Sequence, residues 1–309
     1  MAYNRKYILT ITPITRDGKK RGRSIVIRDL LTIHFDVKRM PMMGDSSATI
    51  DIYNLQPSTR EKLFLDYFDF QNIQQVTLEA GYQNGRFDLI YKGRVVTCRT
   101  RHEHTENITR IEAQSGLLVL DSYIATSMND GKFTTEVARE AANQITGLDS
   151  QFFTTEAITI PRPVALMGNE MAVLQTYTKG KAFVDNEKVI VLGENQCVDG
   201  DIRVIDDETG LLGAPEREQV TLTVSCIFEP RIKVGQGIEI KSRIAPEFDG
   251  QYKVWGVSHS GVLGVAASGQ CTTKIQLWTG LNIFGRFRAT NFADAQEQFK
   301  GLVKWGGQE

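Results

Sequence analysis

The densest run of metal- and proton-handling side chains is Arg101-His102-Glu103-His104-Thr105-Glu106. On a strand, His102 and His104 share a face, an arrangement open to zinc. A third ligand is not identifiable, because His34 and His259 are distant in sequence. The run also falls where a hairpin turn is expected, so it reads as a solvated turn. Asp206-Asp207-Glu208 offers carboxylates for glycan cleavage. Adjacent residues do not make the two walls of one cleft, and beside Gly210 the trio reads as a loop. Cys98, Cys197, Cys226 and Cys271 form no CxxC pair. They read as buried free thiols of a reducing cytosol, with no disulfide called for. No GxSxG, HExxH or phosphate-cradling glycine loop is present. The sequence therefore assigns no catalytic, cofactor-binding or metal-binding residue and argues against an enzyme.

Two clusters are better suited to holding partners. Lys19, Lys20, Arg21 and Arg23, with Arg16 just before them, form a basic run punctuated by Gly18 and Gly22. Phosphate contact is one reading, but no aromatic side chain interleaves to stack on bases. The favoured reading is a flexible hairpin tip that meets an acidic neighbouring subunit. Near the C-terminus Phe292, Ala295, Phe299, Leu302 and Val303 recur at helical spacing. This amphipathic helix either packs on its own β domain or uses Phe292, Phe299, Leu302 and Trp305 to anchor a partner.

The elements that would position these groups are mostly strands. Apolar residues make up 41% of the chain and charged residues 24%, ordinary for a folded protein. A net charge of −1 gives no global pull toward nucleic acid or anionic lipid, and little self-repulsion between copies. No stretch approaches the roughly 18 apolar residues of a membrane span, and the N-terminus reads as a strand rather than a leader, so folding in a cytoplasm is expected. Alternating patterns predict strands over 7–12, 31–37, 48–53, 76–81, 88–100 and 107–114. After residues 48–53, Ser58 with Glu61 predicts a capped short helix running to about Tyr67. Residues 134–145 and 169–177 read as helices and 182–192 as a hairpin turning at Asp185-Asn186. Strands return over 220–228, 238–242, 250–258 and 271–278.

The fold class expected is a β-rich α+β protein. It would have two similar antiparallel barrel or sandwich domains, an α/β insert and a C-terminal helix. The boundaries are 1–118, 119–205, 206–280 and 281–309, and the last strands of the insert may instead complete the second β domain. The two β domains share letters. Tyr91-Lys92 and Tyr252-Lys253 each precede a valine. Thr109-Arg110-Ile111-Glu112 matches Thr273-Lys274-Ile275-Gln276, and each copy follows an alternating strand, Val76-Thr77-Leu78-Glu79 or Ile238-Glu239-Ile240-Lys241. Convergence of similarly constrained hairpins is the plain alternative to duplication.

An ordered set of short segments resembles the baseplate hub proteins of contractile-tailed bacteriophages. The set begins with Ala48-Thr49-Ile50-Asp51-Ile52-Tyr53-Asn54-Leu55, Ala80-Gly81-Tyr82, Tyr91-Lys92-Gly93 and Ile111-Glu112-Ala113-Gln114-Ser115-Gly116. It continues with Gly210-Leu211-Leu212-Gly213-Ala214-Pro215, Glu229-Pro230-Arg231, Gly250-Gln251-Tyr252-Lys253-Val254 and His259-Ser260-Gly261. The resemblance covers roughly residues 25–280. It implies a homotrimer whose two tube-like domains per chain give a pseudo-six-fold ring around an axial channel. Such a ring joins the tail tube protein to the central spike protein, contacts other baseplate proteins and lets DNA through only in transit. The protein would be a virion component assembled in the host cytoplasm. The basic loop and the helical tail have no counterpart in that pattern. The rival reading from another class is a cell-surface or glycan-binding β module using Trp255, Trp278 or Trp305.

Overall fold

The computed structural model describes residues 5–278 apart from 16–17, 42–45, 67–71, 83–84, 118–122, 129–133, 145–147, 154–161, 194–195, 199–201, 219 and 265–268. The expected tail helix, with Phe292, Phe299, Leu302 and Trp305, lies outside the described residues, as does Arg16.

The chain is mostly β. Its first part runs β1 (Arg5–Pro13), β2 (Ile25–Arg28), β3 (Ile33–Arg39), β4 (Ser47–Tyr53), α1 (Pro57–Leu63), β5 (Gln74–Tyr82), β6 (Asp88–Glu103) and β7 (Glu106–Gln114). Period-2 patterning has its expected consequence in β3, where Ile33, Phe35, Val37 and Arg39 are buried while His34, Asp36 and Lys38 face out. Helix α1 corrects one expectation. Gln56 is its N-cap, without a side-chain bond, and Ser58 lies inside the helix. Pro57, with its fixed φ and missing N–H, opens the first turn in place of a capping box.

The middle part contains β8 (Tyr123–Met128), α2 (Thr134–Gln144), β9 (Asp149–Phe153), β10 (Val164–Asn169), α3 (Glu170–Thr178), β11 (Ala182–Asp185) and β12 (Lys188–Leu192). Asn169 caps α3 by accepting the N–H groups of Met171 and Ala172. The last part contains β13 (Arg203–Ile205), β14 (Leu211–Arg217), β15 (Thr221–Ile227), β16 (Gly237–Ile240), β17 (Gly250–Leu263) and β18 (Cys271–Trp278).

The first and last parts join in one large sheet, ordered β14-β15-β18-β17-β3-β4-β7-β6-β5-β1-β2, with β16 on β17 and β13 on β16. Within it, one five-strand arrangement occurs twice. The order β3-β4-β7-β6-β5 has its counterpart in β14-β15-β18-β17-β16, antiparallel throughout. The registers agree residue by residue. Ile50 opposes Ile111 as Val224 opposes Ile275, and Ile52 opposes Thr109 as Cys226 opposes Thr273. Both long strands bulge at the same rung: β6 between Val95 and Thr97, across from Ala113 and Glu112, and β17 between Val254 and Gly256, across from Leu277 and Gln276. Val76 opposes Gly93 as Ile238 opposes Tyr252, so the matched strands 76–79 and 238–241 are equivalent as read.

The shared Tyr-Lys letters are not equivalent. The bulges align Tyr252 with Gly93, placing Tyr91 two residues earlier. A two-residue slip keeps the same face, which is why both tyrosines are buried. The outer edges also differ: β1 lies antiparallel on β5, whereas β13 lies parallel on β16.

The β1–β7 part of the sheet curls over a core that includes Tyr7, Leu9, Ile27, Phe35, Ile50, Leu78 and Ile111. Tyr7 on β1 donates its hydroxyl to Leu31 O at 2.8 Å, just before β3, bringing distant strands of the order together. Phe228, Leu263 and Cys271 from the last part are buried in this first core. The second core gathers Leu222, Val224, Ile238, Tyr252, Val257 and Ile275.

Hairpin β11–β12 fastens everything together. Phe183, Ile190 and Leu192 enter the second core, while Ala182, Val184, Val189 and Val191 pack with Ala138, Ala142 and Leu174 of the insert. Positive φ at Asn186 and Glu187 makes its turn tight. That turn is buried against the first part. Asp185 takes two hydrogen bonds from Arg39, Nε at 2.8 Å and Nη2 at 2.6 Å, with both side chains buried. Asn186 accepts the N–H of Lys92, and Glu187 accepts from Gly116 N–H at 2.9 Å and the Ser115 hydroxyl at 3.3 Å. Burial pushes the Glu187 carboxyl up. Among the described residues no helix is long and apolar enough to cross a membrane.

Candidate assembly interface

The basic run is a short extension of the β1–β2 hairpin. Ile14 bridges Lys20, Arg21 N–H bonds Pro13 O, and Thr15 N–H bonds Lys19 O. These bonds hold the tip while Lys19, Lys20, Arg21 and Arg23 remain exposed. The loop therefore presents four cations without burying any, as suits contact with a separate acidic surface.

The chemistry-bearing clusters stay apart. His104 adopts φ 53° in the turn after β6, and His102 is exposed beside it. Among the described residues no three metal-ligating side chains converge. Asp206 is spent on its own loop: its carboxylate accepts the N–H groups of Glu208 and Thr209, and these bonds hold its pKa below the ordinary range. All four cysteines are buried and free, and burial pushes their thiols up to about 12. His259 is fully buried, with Nδ1 2.9 Å from Thr273 Oγ1. Thr273 Oγ1 also accepts the N–H of Glu229, so this hydroxyl links the buried imidazole to the chain just after β15. Desolvation, with Arg39 nearby, drives this histidine down to about 3.

Trp255 and Trp278 stack on each other, with centroids 5.1 Å apart and 30° between planes. They line a groove of about 280 Å³ with Phe183, Leu192, Val234 and Val254.

Sequence reasoning missed the open strand edges. Beyond Arg94, β6 leaves β5 and runs on to Glu103. Along that stretch the one backbone partner on its outer side, among the described residues, is Leu65, paired with Cys98. Strand β14 ends the sheet at the other side. Its residues 213–215, three against the single Val224 of β15, form a bulge between Leu212 and Glu216, and Pro215 sits in it. The proline was the available signal, since proline inside a sheet is confined to edges and bulges.

The family model described as "Baseplate hub gp41" matches residues 8–260. Solved structures share the fold at low identity. The tail protein from Neisseria meningitidis MC58 aligns with a TM-score of 0.57 and 8% identity, over 88% of this chain and 96% of that one. The 43 kDa tail protein of prophage MuSo2 from Shewanella oneidensis gives 0.54 and 8%, over 87% and 95%. The E. coli c3393 protein, a component of the type VI secretion system, gives 0.50 and 11%, over 81% and 73%. No curated protein matches the chain in sequence.

Proposed function

From the premise that the chain belongs to the baseplate hub gp41 family, and so is a structural component of a phage tail baseplate, we propose that three copies close into a ring in which six similar five-strand units surround one axis. One face of such a ring meets the six-fold tail tube protein of a contractile tail and the other the three-fold central spike protein. Other baseplate proteins attach around it, and DNA passes only in transit. The protein does this without catalysis and assembles in the host cytoplasm before incorporation into the virion.

The observation that carries the reading is the repeated register, down to the bulge at the same rung of β6 and β17. A chain holding two equivalent units lets three-fold assembly imitate six-fold order. The stacked Trp255 and Trp278 favour the glycan-binding module as a second reading. Light scattering on the purified full chain separates the two. The hub gives three times the 34.6 kDa of the chain, about 104 kDa. A monomer that binds glycans on an array gives the second reading its support and removes the first.

A further inference from the structure

Each five-strand unit has the same two lateral edges, yet among the described residues only one pair of them meets within the chain. The outer edge of β3 lies antiparallel on residues 257–263 of β17, which joins the first unit to the second. By the equivalence of the units, β14 corresponds to β3 and β6 to β17. Among the described residues those two edges are the open ones. Leu65 against Cys98 occupies the place that Arg39 takes against Val257, and the open stretch of β6 begins just past it.

We infer that the outer edge of β14 in one copy adds, antiparallel, to residues 99–103 of β6 in the next copy, in the register β3 already uses on β17. This rests on the ring reading above and specifies how the ring closes. Inside the chain Asp36 opposes Ser260 and Lys38 opposes Ser258. Carried over through the shared rungs, Glu216 falls opposite Arg101 and Glu218 opposite Arg99. Directly opposed residues share one face of a sheet, so both acidic side chains meet both basic ones on the same face. The junction inside the chain has serines where the open edge has arginines. Charge complementarity is therefore confined to the edges left without a strand partner among the described residues.

Arg99 pairs with Asp66, and Arg101 with Glu103 at 3.3 Å, in exposed contacts that cost little to exchange; Arg101 also lies 4.0 Å from Asp51, which already has Arg110 as a closer partner. Glu216 and Glu218 are exposed. Pro215 and its bulge interrupt the new ladder between Glu216 and Leu212, so pairing comes in two short runs. In the second run Leu212, exposed in the single chain, falls opposite Glu103. Because the donor and acceptor edges differ, the contact is head-to-tail, and it leaves no open edge only when the ring closes.

Three full-length variants test the register: Arg99→Glu with Arg101→Glu, Glu216→Arg with Glu218→Arg, and all four together. Their mass is followed by analytical ultracentrifugation across concentration, and their folding by circular dichroism melts. Each double reversal should raise the concentration for half-assembly at least about tenfold, and the fourfold variant should recover to within about threefold of the parent. A chain carrying Arg101→Cys and Glu216→Cys should form disulfide-linked oligomers, since opposed Cα atoms lie about 4.5–5.5 Å apart, within disulfide reach. The native cysteines, buried and with raised thiol pKa, stay out of that reaction. A trimer untouched by both double reversals overturns this register and leaves the ring standing. A parent chain that stays monomeric at every concentration overturns both.

Discussion

At the residue scale, the buried charges and protons were the hardest features to read from sequence. Arg39 occupies an inward position of an alternating strand, where the pattern calls for an apolar side chain. It is tolerable there only because Asp185, 146 residues away, supplies two hydrogen bonds. Nothing local announces that pairing. Cys98 and Cys226 were legible from their apolar or alternating surroundings, whereas Cys197 and Cys271 are buried within locally polar sequence. His259 carries a pH dependence whose sign follows from its depressed pKa. Between about 3 and the ordinary 6.5, an unfolded chain binds a proton there and the native one does not. Stability contributed by the neutral ring is thus present above pH 6.5 and drains as pH falls. Against a His259→Gln variant, wild type should lose about 2 kcal/mol more of its unfolding free energy between pH 7 and pH 5. A difference between the two that is flat over this range would contradict the assignment.

At the element scale, strands with clear alternation appear close to where the pattern puts them, and the 182–192 hairpin forms, though it turns at Asn186-Glu187, one residue beyond the expected Asp185-Asn186. The ones missed are informative. Strand β14 carries Gly213 and Pro215 and bends through a bulge, so its period is broken. Strands β8, β9 and β10 pair within the insert, β9 and β12 in parallel, and lack a simple alternating stripe. The Tyr-Lys match pointed to the repeated five-strand order through letters that are themselves two residues out of register. It survived because a shift of two does not change which face is buried. Besides the β3–β17 ladder, the two units are coupled by Phe228, which leaves the end of β15 to pack edge-on against Phe35 at 6.0 Å and His259 at 5.8 Å. Its carbonyl accepts the Tyr82 hydroxyl at 2.6 Å. Phe228→Ala should cost about 3–5 kcal/mol in denaturant unfolding. A loss under about 1 kcal/mol would mean the units hold each other by strand pairing alone.

At the scale of the whole molecule, family membership and the architecture point to the same use, a scaffold whose function is geometry. The ordered segments between about 25 and 280 were enough to place the family, whose model matches residues 8–260. The candidate site was less legible. The basic residues Lys19, Lys20, Arg21 and Arg23 are exposed on a hairpin tip as expected, whereas the complementary edges of β6 and β14 are visible only once registers are compared. Ring contacts of the proposed kind should each bury more than about 2,000 Å², as permanent interfaces do. The most direct test of the central claim is averaged electron microscopy of the purified assembly viewed down its axis. The account predicts a ring of three chains showing six lobes of similar size around a central hole. A closed ring of three unlike lobes, or particles with no hole, would contradict it.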